Sequence, residues 1–289
     1  MTLQEAGIYL LHQLRTVYDS GEANAIADRV MESLTGSDKT ERMLYKSNPI
    51  SPEEEDKLYE YTVKLLRHEP LQYVLQEAWF FGLKFYVDKN VLIPRPETEE
   101  LVDWVITLCR FPLGSLAILD IGTGSGCIPV ALKRRLRKAS VTAIDISEAA
   151  LAVAKRNAAN LGADVEFMQL DILDTTAWNM LNPVDIIISN PPYIPENNKA
   201  SMDTNVLDFE PHSALFVPDN DALLFYKAIV NFAKSGLKPE GLLFFEIHED
   251  LGPAVISLLE SEGFSATLKR DMQGKDRMVM GRKVDRLKS

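Results

Sequence analysis

The stretch Leu116-Ala117-Ile118-Leu119-Asp120-Ile121-Gly122-Thr123-Gly124-Ser125-Gly126 carries the signal that decides the fold. Its first six residues form a largely apolar run, typical of a buried parallel strand. Three glycines follow at alternate positions, and an apolar helical segment, residues 127–132, comes next. A strand, a glycine loop and a helix in this order let the backbone approach a ligand at the helix N-terminus. The chain therefore predicts an α/β fold with a nucleotide-type cofactor at this loop.

The spacing of these glycines is G-x-G-x-G. A dinucleotide fingerprint requires G-x-G-x-x-G or a final Ala, and Cys127 occupies that last position. The loop therefore disfavours a nicotinamide dinucleotide, without excluding it, and the cofactor has to be identified from residues further along the chain.

Two acidic residues follow the next two predicted strands. Residues 141–144 form a strand that ends at Asp145, about 20 residues past the glycines, where a carboxylate can accept hydrogen bonds from ribose hydroxyls. Residues 165–170 form the third strand, after which Asp171 could accept a hydrogen bond from an adenine amino group. Either residue alone is more often a cap or a solvated loop residue, so the order of the features carries the prediction.

The tetrapeptide Asn190-Pro191-Pro192-Tyr193 follows a fourth apolar strand, residues 184–189. Open α/β sheets bind their ligands at such strand ends. Asn offers an amide oxygen, the prolines stiffen the backbone and leave carbonyls with no N–H of their own, and Tyr offers an aromatic face. These groups predict a clamp that holds a flat –NH2 group and aims its nitrogen lone pair, as methylation of an amide or an exocyclic amine requires. The other interpretation is a turn that ends the strand, since Asn and Pro are common turn residues.

The glycine loop, Asp145 and the Asn-Pro-Pro-Tyr tetrapeptide together resemble a class I S-adenosylmethionine-dependent methyltransferase of the amino-methylating kind. The segment Leu92-Ile93-Pro94-Arg95-Pro96-Glu97-Thr98-Glu99-Glu100-Leu101-Val102 narrows the resemblance to the PrmC/HemK family, the release-factor glutamine N5-methyltransferases. Further matching pieces are Pro70-Leu71-Gln72-Tyr73, Phe209-Glu210-Pro211 with Ala214-Leu215, and Gly274-Lys275-Asp276-Arg277.

The resemblance implies methyl transfer from S-adenosylmethionine, with S-adenosylhomocysteine as the product and no metal, to the Gln side chain in the Gly-Gly-Gln loop of peptide-chain release factors. It implies a Rossmann-like, mostly parallel seven-stranded sheet. Arg95, Glu97 and the tetrapeptide would bind the substrate, and the four residues of the tetrapeptide are also the implied catalytic residues. The implied donor site consists of Asp120, Gly122, Thr123, Gly124, Ser125, Gly126, Asp145, Ile146, Asp171, Ile172 and Asn190.

The predicted mechanism is an in-line displacement, which needs mostly position and a free lone pair, so no general base is expected. The Asn190 side-chain oxygen and the Pro191 carbonyl would accept the two amide hydrogens of the acceptor. Tyr193 would pack against the substrate.

The chain also departs from the family pattern in three places. It lacks the glycines that usually follow the Ala-Leu pair, and it has no Gly near Gln76. It also has His248 where Gly often follows the Glu-Ile pair that ends the fifth predicted strand, residues 242–247. These departures concern the shape of local loops.

The predicted domains are an N-terminal helical substrate-recognition domain (residues 1–75), a β-hairpin linker (residues 76–93) and the catalytic domain (residues 94–284). Thr2-x-x-Glu5 resembles a capping box, and Ser51 followed by Pro52 begins another helix. In the linker, apolar residues 79–87 and 91–93 flank Asp88-Lys89-Asn90, which predicts a hairpin with its turn at these three residues.

The composition is that of a soluble globular protein, with 46% hydrophobic and 25% charged residues. Two cysteines make no disulfide framework, the four histidines lack metal-ligand spacing, and no apolar run reaches membrane-spanning length. We expect a cytoplasmic monomer without membrane contact. The net charge of −11 argues against direct nucleic-acid binding, which depends on Lys and Arg, and the basic run at residues 133–138 is interpreted as a solvated helix end.

Three other functions remain open at this point. A DNA adenine-N6 methyltransferase would share the clamp but would need a basic face for a flipped base. A methyltransferase of another protein glutamine, or of a ribosomal protein, would look nearly identical. A non-catalytic binding module predicts tight protein association without donor binding, and the intact glycine loop and clamp count against it.

Overall fold

The computed structural model describes residues 1–109, 115–202 and 204–284. Its helices are α1 (Leu3–Leu14), α2 (Ser20–Thr35), α3 (Lys39–Leu44), α4 (Pro52–Leu65), α5 (Leu71–Leu75), α6 (Pro96–Leu108), α7 (Cys127–Arg135), α8 (Glu148–Asn160), α9 (Thr204–Phe209), α10 (Leu224–Gly236) and α11 (Gly252–Ser261). Its strands are β1 (Ala78–Phe80), β2 (Leu83–Phe85), β3 (Ala117–Ile121), β4 (Ser140–Asp145), β5 (Glu166–Gln169), β6 (Val184–Ser189), β7 (Ile194–Pro195), β8 (Phe216–Val217), β9 (Leu237–Glu246), β10 (Phe264–Arg270) and β11 (Asp276–Lys283). Two compact units divide the chain: Met1–Glu77 together with α9, and the rest of the described chain from Ala78 onward.

The first unit is helical, and α1 and α4 begin where the sequence signals predict. Thr2 Oγ1 accepts a hydrogen bond from the backbone N–H of Glu5 at 3.2 Å, and Glu5 Oε2 accepts one from the N–H of Thr2 at 2.8 Å. This is the predicted capping box of α1. Ser51 caps α4 in the same way with Glu54. The apolar faces of these helices bury one shared core, which includes Leu10, Leu14, Val30, Leu58 and Leu65.

Seven strands of the second unit form one sheet in the order β10-β11-β9-β6-β3-β4-β5. The strands β5, β4, β3, β6 and β9 are parallel, and β11 is antiparallel to both β9 and β10. The chain runs outward from β3 to β4 and β5 and then returns to β6 on the other side of β3. Such a reversal opens a crevice at the carboxyl ends of the strands. The predicted mostly parallel seven-stranded sheet is confirmed.

Both faces of this sheet are buried, because helices cover each of them. Ile118 and Ile186 point to one face and share a core with α6 and α7, whereas their neighbours Leu119 and Ile187 point to the other face and share a core with α10. Burial on both faces explains why these strands are almost continuously apolar in the sequence.

The β-hairpin is present, but its turn is not where the sequence pattern predicted it. β1 pairs with β2 in antiparallel register, and the turn consists of Phe81 and Gly82. Both residues have positive φ, 53° and 73°, and such two-residue loops match the twist of the flanking strands. Residues 88–90 instead form a loop in which the Asn90 N–H donates to Asp88 Oδ1. A turn does exist there, closed by a hydrogen bond of 3.1 Å from the Val91 N–H to the Asp88 carbonyl, but it joins no paired strands. The prediction that the hairpin turns at residues 88–90 was wrong, because the hairpin turn at Gly82 is hidden inside the apolar run.

Phe80 and Phe85 of this hairpin pack into the same core as α6 and α7, so the hairpin belongs to the second unit. No helix in residues 1–109, 115–202 or 204–284 combines the length and apolar character that crossing a membrane would require.

Candidate active site

A cavity of the second unit lies at the carboxyl ends of β3, β4 and β6, where the sheet reverses direction. The predicted site residues that line it are Gly122, Gly124, Asp145, Ile146, Asp171, Ile172, Asn190, Pro191 and Pro192. The predicted residues outside this lining are Arg95, Glu97, Asp120, Thr123, Ser125, Gly126 and Tyr193. Sequence positions far apart therefore meet at one edge of the sheet, because the carboxyl ends of parallel strands share that edge.

The glycine loop needs glycine for two different reasons. Gly122, Gly124 and Gly126 have φ of +77°, +54° and +78°, a region that L side chains rarely adopt. A Cβ at Gly122 or Gly124 would meet no atom within 4 Å, so these two leave open space beside the cavity. A Cβ at Gly126 would lie 3.0 Å from Cβ and 3.1 Å from Cα of Ala154. Gly126 therefore permits close packing of the loop on α8, whereas Gly122 and Gly124 let a ligand approach the backbone.

The carboxylate of Asp145 is held by the backbone on both sides. Oδ2 accepts a hydrogen bond from the Gly124 N–H at 2.8 Å, and Oδ1 accepts one from the Ser147 N–H at 2.9 Å. Burial raises the pKa of Asp145, and the N–H groups of Ser147, Gly124 and Ile146 oppose that rise. Each oxygen keeps acceptor capacity beyond its bond to the backbone. A fixed carboxylate at this edge can accept hydrogen bonds from a diol such as ribose.

Asp120 is the most unusual ionisable group in this region. It is completely buried at the end of β3, and neither of its carboxyl oxygens has a hydrogen-bond partner, nor does the hydroxyl of buried Thr123. Burial raises the pKa of Asp120 to about 7. The nearby Thr123 hydroxyl lowers this pKa, although it does not meet the geometry of a hydrogen bond, and the charge of Asp145 raises it further. Unpaired buried carboxyl oxygens are costly, so this spot favours a positive charge or donor groups nearby.

The far wall of the cavity combines a carboxylate with apolar side chains. Asp171 Oδ1 accepts a hydrogen bond from the Leu173 N–H at 2.8 Å, which orients the side chain. Ile172 is buried, whereas Ile146 is 59% exposed although it lines the cavity. An exposed isoleucine next to a fixed carboxylate suits a flat ring that carries an amino group.

The charges of the lining discriminate between classes of ligand. Among the described residues that line the cavity, Asp145 and Asp171 are acidic and none is Lys, Arg or His. Nucleotide phosphates are usually held by basic side chains or helix N-termini. The cavity therefore suits a nucleoside ligand without phosphates, and preferably one that carries a positive charge.

The Asn-Pro-Pro-Tyr tetrapeptide begins directly at the end of β6. Ser189, the last residue of that strand, donates its hydroxyl to the Ile121 carbonyl at 2.7 Å, which ties β6 to β3 just before the tetrapeptide. Asn190, Pro191 and Pro192 line the cavity. The Asn190 Nδ2 donates to Thr98 Oγ1 at 3.2 Å.

Tyr193 lies beyond the cavity lining and packs against the core on the α10 face of the sheet. Its ring centroid is 5.9 Å from that of His248. Burial, followed by the charge of Glu246, raises the pKa of Tyr193, and Arg277 and Arg95 oppose the rise. Tyr193 is therefore a neutral phenol.

Arg95 forms an ion pair with Glu210, whose second oxygen accepts a hydrogen bond from the Ile93 N–H at 3.2 Å. Because the side chain of Glu210 is 1% exposed, this pair anchors residues 93–95 firmly. The charge of Glu97 is a smaller cause of the raised pKa of Tyr193 and Glu246, after burial of each group. Arg95 and Glu97 therefore stand beside the tetrapeptide, and their predicted contact with a substrate stays a prediction.

Sequence reasoning assigned no role to Thr98, Glu210 and Glu246. Glu246 is 2% exposed at the end of β9 and accepts a hydrogen bond from Thr98 Oγ1 at 2.6 Å. Burial raises the pKa of Glu246 to about 7, opposed by Thr98 and Arg277. One available signal was a carboxylate inside the apolar run of residues 242–247, because such a residue is almost never buried without partners.

Comparison with known proteins agrees with this geometry. Residues 6–75 match the family model described as PrmC N-terminal domain, and residues 108–208 match the one described as Methyltransferase small domain. A release factor glutamine methyltransferase from Bacteroides thetaiotaomicron is 38% identical over 272 residues, covering 94% of this chain and 96% of that protein. The chain belongs to the release factor glutamine methyltransferase family.

A second member of this family, from Flavobacterium psychrophilum, is 50% identical over 220 residues, covering 75% of this chain and 76% of that protein. A solved methyltransferase from Pyrococcus furiosus has a TM-score of 0.50 and 16% identity, and the match covers 78% of this chain and 99% of that one. The predicted resemblance to the release factor glutamine methyltransferase family and the predicted methyltransferase fold are confirmed.

Proposed function

We propose that this chain transfers a methyl group from S-adenosylmethionine to the side-chain amide nitrogen of the Gln in the Gly-Gly-Gln motif of peptide-chain release factors. The observation that carries the proposal is the position of Asn190, Pro191 and Pro192 on the same cavity as Gly122, Gly124 and Asp145. One cavity thus offers an amide-binding edge beside a nucleoside-binding edge. The products are the methylated factor and S-adenosylhomocysteine.

The donor pocket fits S-adenosylmethionine on three counts. Gly122 and Gly124 leave open space that would take the methionine part, Asp145 would hold the ribose hydroxyls, and Asp171, with Ile146 and Ile172, would hold the adenine. The unpaired oxygens of Asp120 and the Thr123 hydroxyl suit a ligand that brings positive charge close to the loop. Ser125 and Gly126 shape the loop. When bound, the donor supplies an activated methyl group on a sulfonium, and we infer no need for a metal.

The acceptor amide is held by the tetrapeptide. The Asn190 side-chain oxygen and the Pro191 carbonyl accept the two amide hydrogens, which pulls the nitrogen away from amide resonance and points its lone pair at the methyl group. Pro192 limits the freedom of the backbone that carries these acceptors. Tyr193, Arg95 and Glu97 lie outside the cavity lining, so their contact with the substrate stays a prediction. Orientation and proximity supply most of the rate, and the nitrogen gives up one proton as the new N–C bond forms.

The domain assignments complete the proposal. Residues 1–75 would recognise the folded release factor, residues 76–93 would connect the domains, and residues 94–284 would carry the chemistry. The described residues that line the cavity include no Lys, Arg or His that would hold nucleic-acid phosphates, which supports a protein acceptor. We propose that the enzyme acts as a cytoplasmic monomer without direct nucleic-acid contact.

The test is methyl transfer from radiolabelled S-adenosylmethionine to a purified release factor. A Gln→Ala variant of its Gly-Gly-Gln loop and a DNA duplex are run in parallel. Label on the wild-type factor alone supports the proposal. Label on the Gln→Ala variant would show that the methylated residue lies elsewhere in the factor. Label on DNA would contradict the proposal and indicate adenine methylation.

A further inference from the structure

Three polar groups from distant parts of the chain form a chain of hydrogen bonds: Asn190 is partly buried, and Thr98 and Glu246 are buried. Asn190 Nδ2 donates to Thr98 Oγ1 at 3.2 Å, and Thr98 Oγ1 donates to Glu246 Oε2 at 2.6 Å. Thr98 is 3% exposed and lies in α6, and Glu246 is 2% exposed and ends β9. Thr98 is therefore bonded to both of the other side chains and links them.

The order of donors and acceptors in this chain follows from the hydroxyl of Thr98. A hydroxyl has one proton to donate, and Thr98 donates it to the carboxylate of Glu246. Toward Asn190 the hydroxyl can therefore only accept. The amide of Asn190 must then turn its NH2 group to Thr98, which leaves Oδ1 on the opposite side of the amide.

We propose that Thr98 and Glu246 are positioning residues, which orient the Asn190 amide so that its oxygen, and not its NH2 group, faces the acceptor amide in the cavity. This inference rests on the proposed function. Two NH2 groups cannot hydrogen-bond to each other, so a reversed Asn190 would repel the Gln side chain that it has to hold. The chain of bonds acts before the substrate arrives, because every member is already paired in the free enzyme.

The state of Glu246 matters for this role. Ionised Glu246 can only accept, whereas a protonated carboxyl could donate to Thr98 and release the hydroxyl to donate to Asn190. Burial raises the pKa of Glu246 and Glu97 on α6 adds to the rise, whereas the Thr98 hydroxyl, the charge of Arg277 on β11 and the Asn190 amide lower it. Burial also raises the pKa of Tyr193, Tyr226 and Cys127, and the carboxylate of Glu246 adds to each of these rises. Assays at pH 8.5 keep Glu246 ionised, since burial places its pKa at about 7.

The experiment compares Thr98→Val with Thr98→Ser at pH 8.5, with release factor as the acceptor. Valine has the same shape without the hydroxyl, and we expect kcat to fall about tenfold, the loss of roughly one buried hydrogen bond. Serine restores the hydroxyl and should keep kcat within about threefold of wild type. Titration calorimetry with S-adenosylhomocysteine should give wild-type affinity for both variants, because the donor does not contact Thr98.

Glu246→Gln is the second variant, and it decides the matter if Thr98→Val does not fold. Its amide can donate to Thr98, so we expect a fall in kcat of about tenfold with unchanged donor affinity. The matched control is Ser235→Ala, which removes a hydroxyl that donates to the Phe232 carbonyl near the end of α10, outside the cavity lining. This control should lower stability and leave kcat unchanged.

Full kcat in Thr98→Val and Glu246→Gln would overturn the inference. An equal loss in Thr98→Ser and Thr98→Val would also overturn it, since the methyl group and not the hydroxyl would then matter. If the wild-type enzyme does not methylate release factor, the proposed function itself is wrong. The wild-type reaction alone distinguishes this outcome from failure of the present inference.

Discussion

The backbone N–H of Gly124 donates a hydrogen bond of 2.8 Å to Oδ2 of Asp145. The bond joins the glycine loop after β3 to the last residue of β4, so the two parts of the proposed donor site hold each other in place. It also gives the Gly124 amide a partner at the point where the loop leaves the strand, and a buried N–H without a partner would be costly. Substitution of Gly124 or Asp145 should therefore weaken binding of the donor more than binding of the acceptor.

Replacement of Asn190 and of Asp145 should separate acceptor binding from donor binding. Asn190→Ala removes an acceptor of the substrate amide, and we expect kcat to fall about 100-fold, as for loss of one preorganised group at a reacting centre. Its affinity for S-adenosylhomocysteine should stay within about threefold. Asp145→Ala should instead weaken that affinity by about 10- to 100-fold, because hydrogen bonds to a charged group are strong. Titration calorimetry and saturation kinetics measure both quantities.

If Asn190→Ala kept the kcat of the wild type, the Asn190 side chain would not hold the acceptor amide. An Asp145→Ala variant that bound the donor product as tightly as wild type would remove the carboxylate from the donor site.

Alanine at two glycines of the loop should have different effects on stability. Both positions have positive φ, so each substitution strains the backbone by about 1–3 kcal/mol. At Gly126 the new Cβ also approaches Ala154 to 3.0 Å, and overpacking adds about 1–3 kcal/mol. Gly126→Ala should therefore lower the free energy of unfolding more than Gly122→Ala in urea titrations, while Gly122→Ala should weaken donor binding. If Gly122→Ala lowered the free energy of unfolding more than Gly126→Ala did, α8 would be able to move away from the new Cβ at residue 126 at little cost.

The contribution of Asp120 to the stability of the free enzyme should fall as the pH rises from about 4 to about 7. Its pKa is raised from 3.8 to about 7, so the folded state holds the proton more tightly than the unfolded state does. This contribution is fully present below pH 3.8 and is lost as the pH rises through about 7. It amounts to up to about 4 kcal/mol.

Asp120→Asn should flatten that fall, measured as the free energy of urea unfolding at pH 5 and pH 8 without donor. Exposed Asp103→Asn is the matched control, and it should retain the wild-type slope. Parallel slopes for wild type and Asp120→Asn would show that the buried carboxyl does not titrate in this range.

Gln76 should be a position where glycine stabilises the protein. Its φ is 55° and its ψ is 35°, the left-handed conformation, and it ends α5. A non-glycine residue in this region carries about 1 kcal/mol of strain relative to glycine. Gln76→Gly should raise the free energy of unfolding by up to about 1 kcal/mol, and Gln76→Ala should not raise it. A lower stability of the glycine variant would indicate that the Gln side chain makes a contact worth more than this strain.

The features that the sequence predicted correctly are those that depend on residues close together in the chain. Continuous apolar runs marked the strands of the sheet, glycines at alternate positions marked the loop, and Thr2 and Ser51 marked helix starts. Each of these features depends on residues within a few positions of one another. The hairpin shows the limit of such signals, because its turn at Phe81 and Gly82 is hidden inside one apolar run.

Local patterns were enough to predict the order of the parallel strands, and with it the edge of the sheet where the glycine loop, Asp145 and Asn190 meet. Periodicity, glycine conformation and capping are local, and parallel strands bring their ends to one edge whatever the side chains are. The pairing of polar side chains, such as Arg95 with Glu210 and Thr98 with Glu246, follows instead from the packing of segments that are distant in the chain. The tertiary structure alone also raised the pKa of Asp120, because loss of water around a carboxyl depends on residues that are distant in the chain.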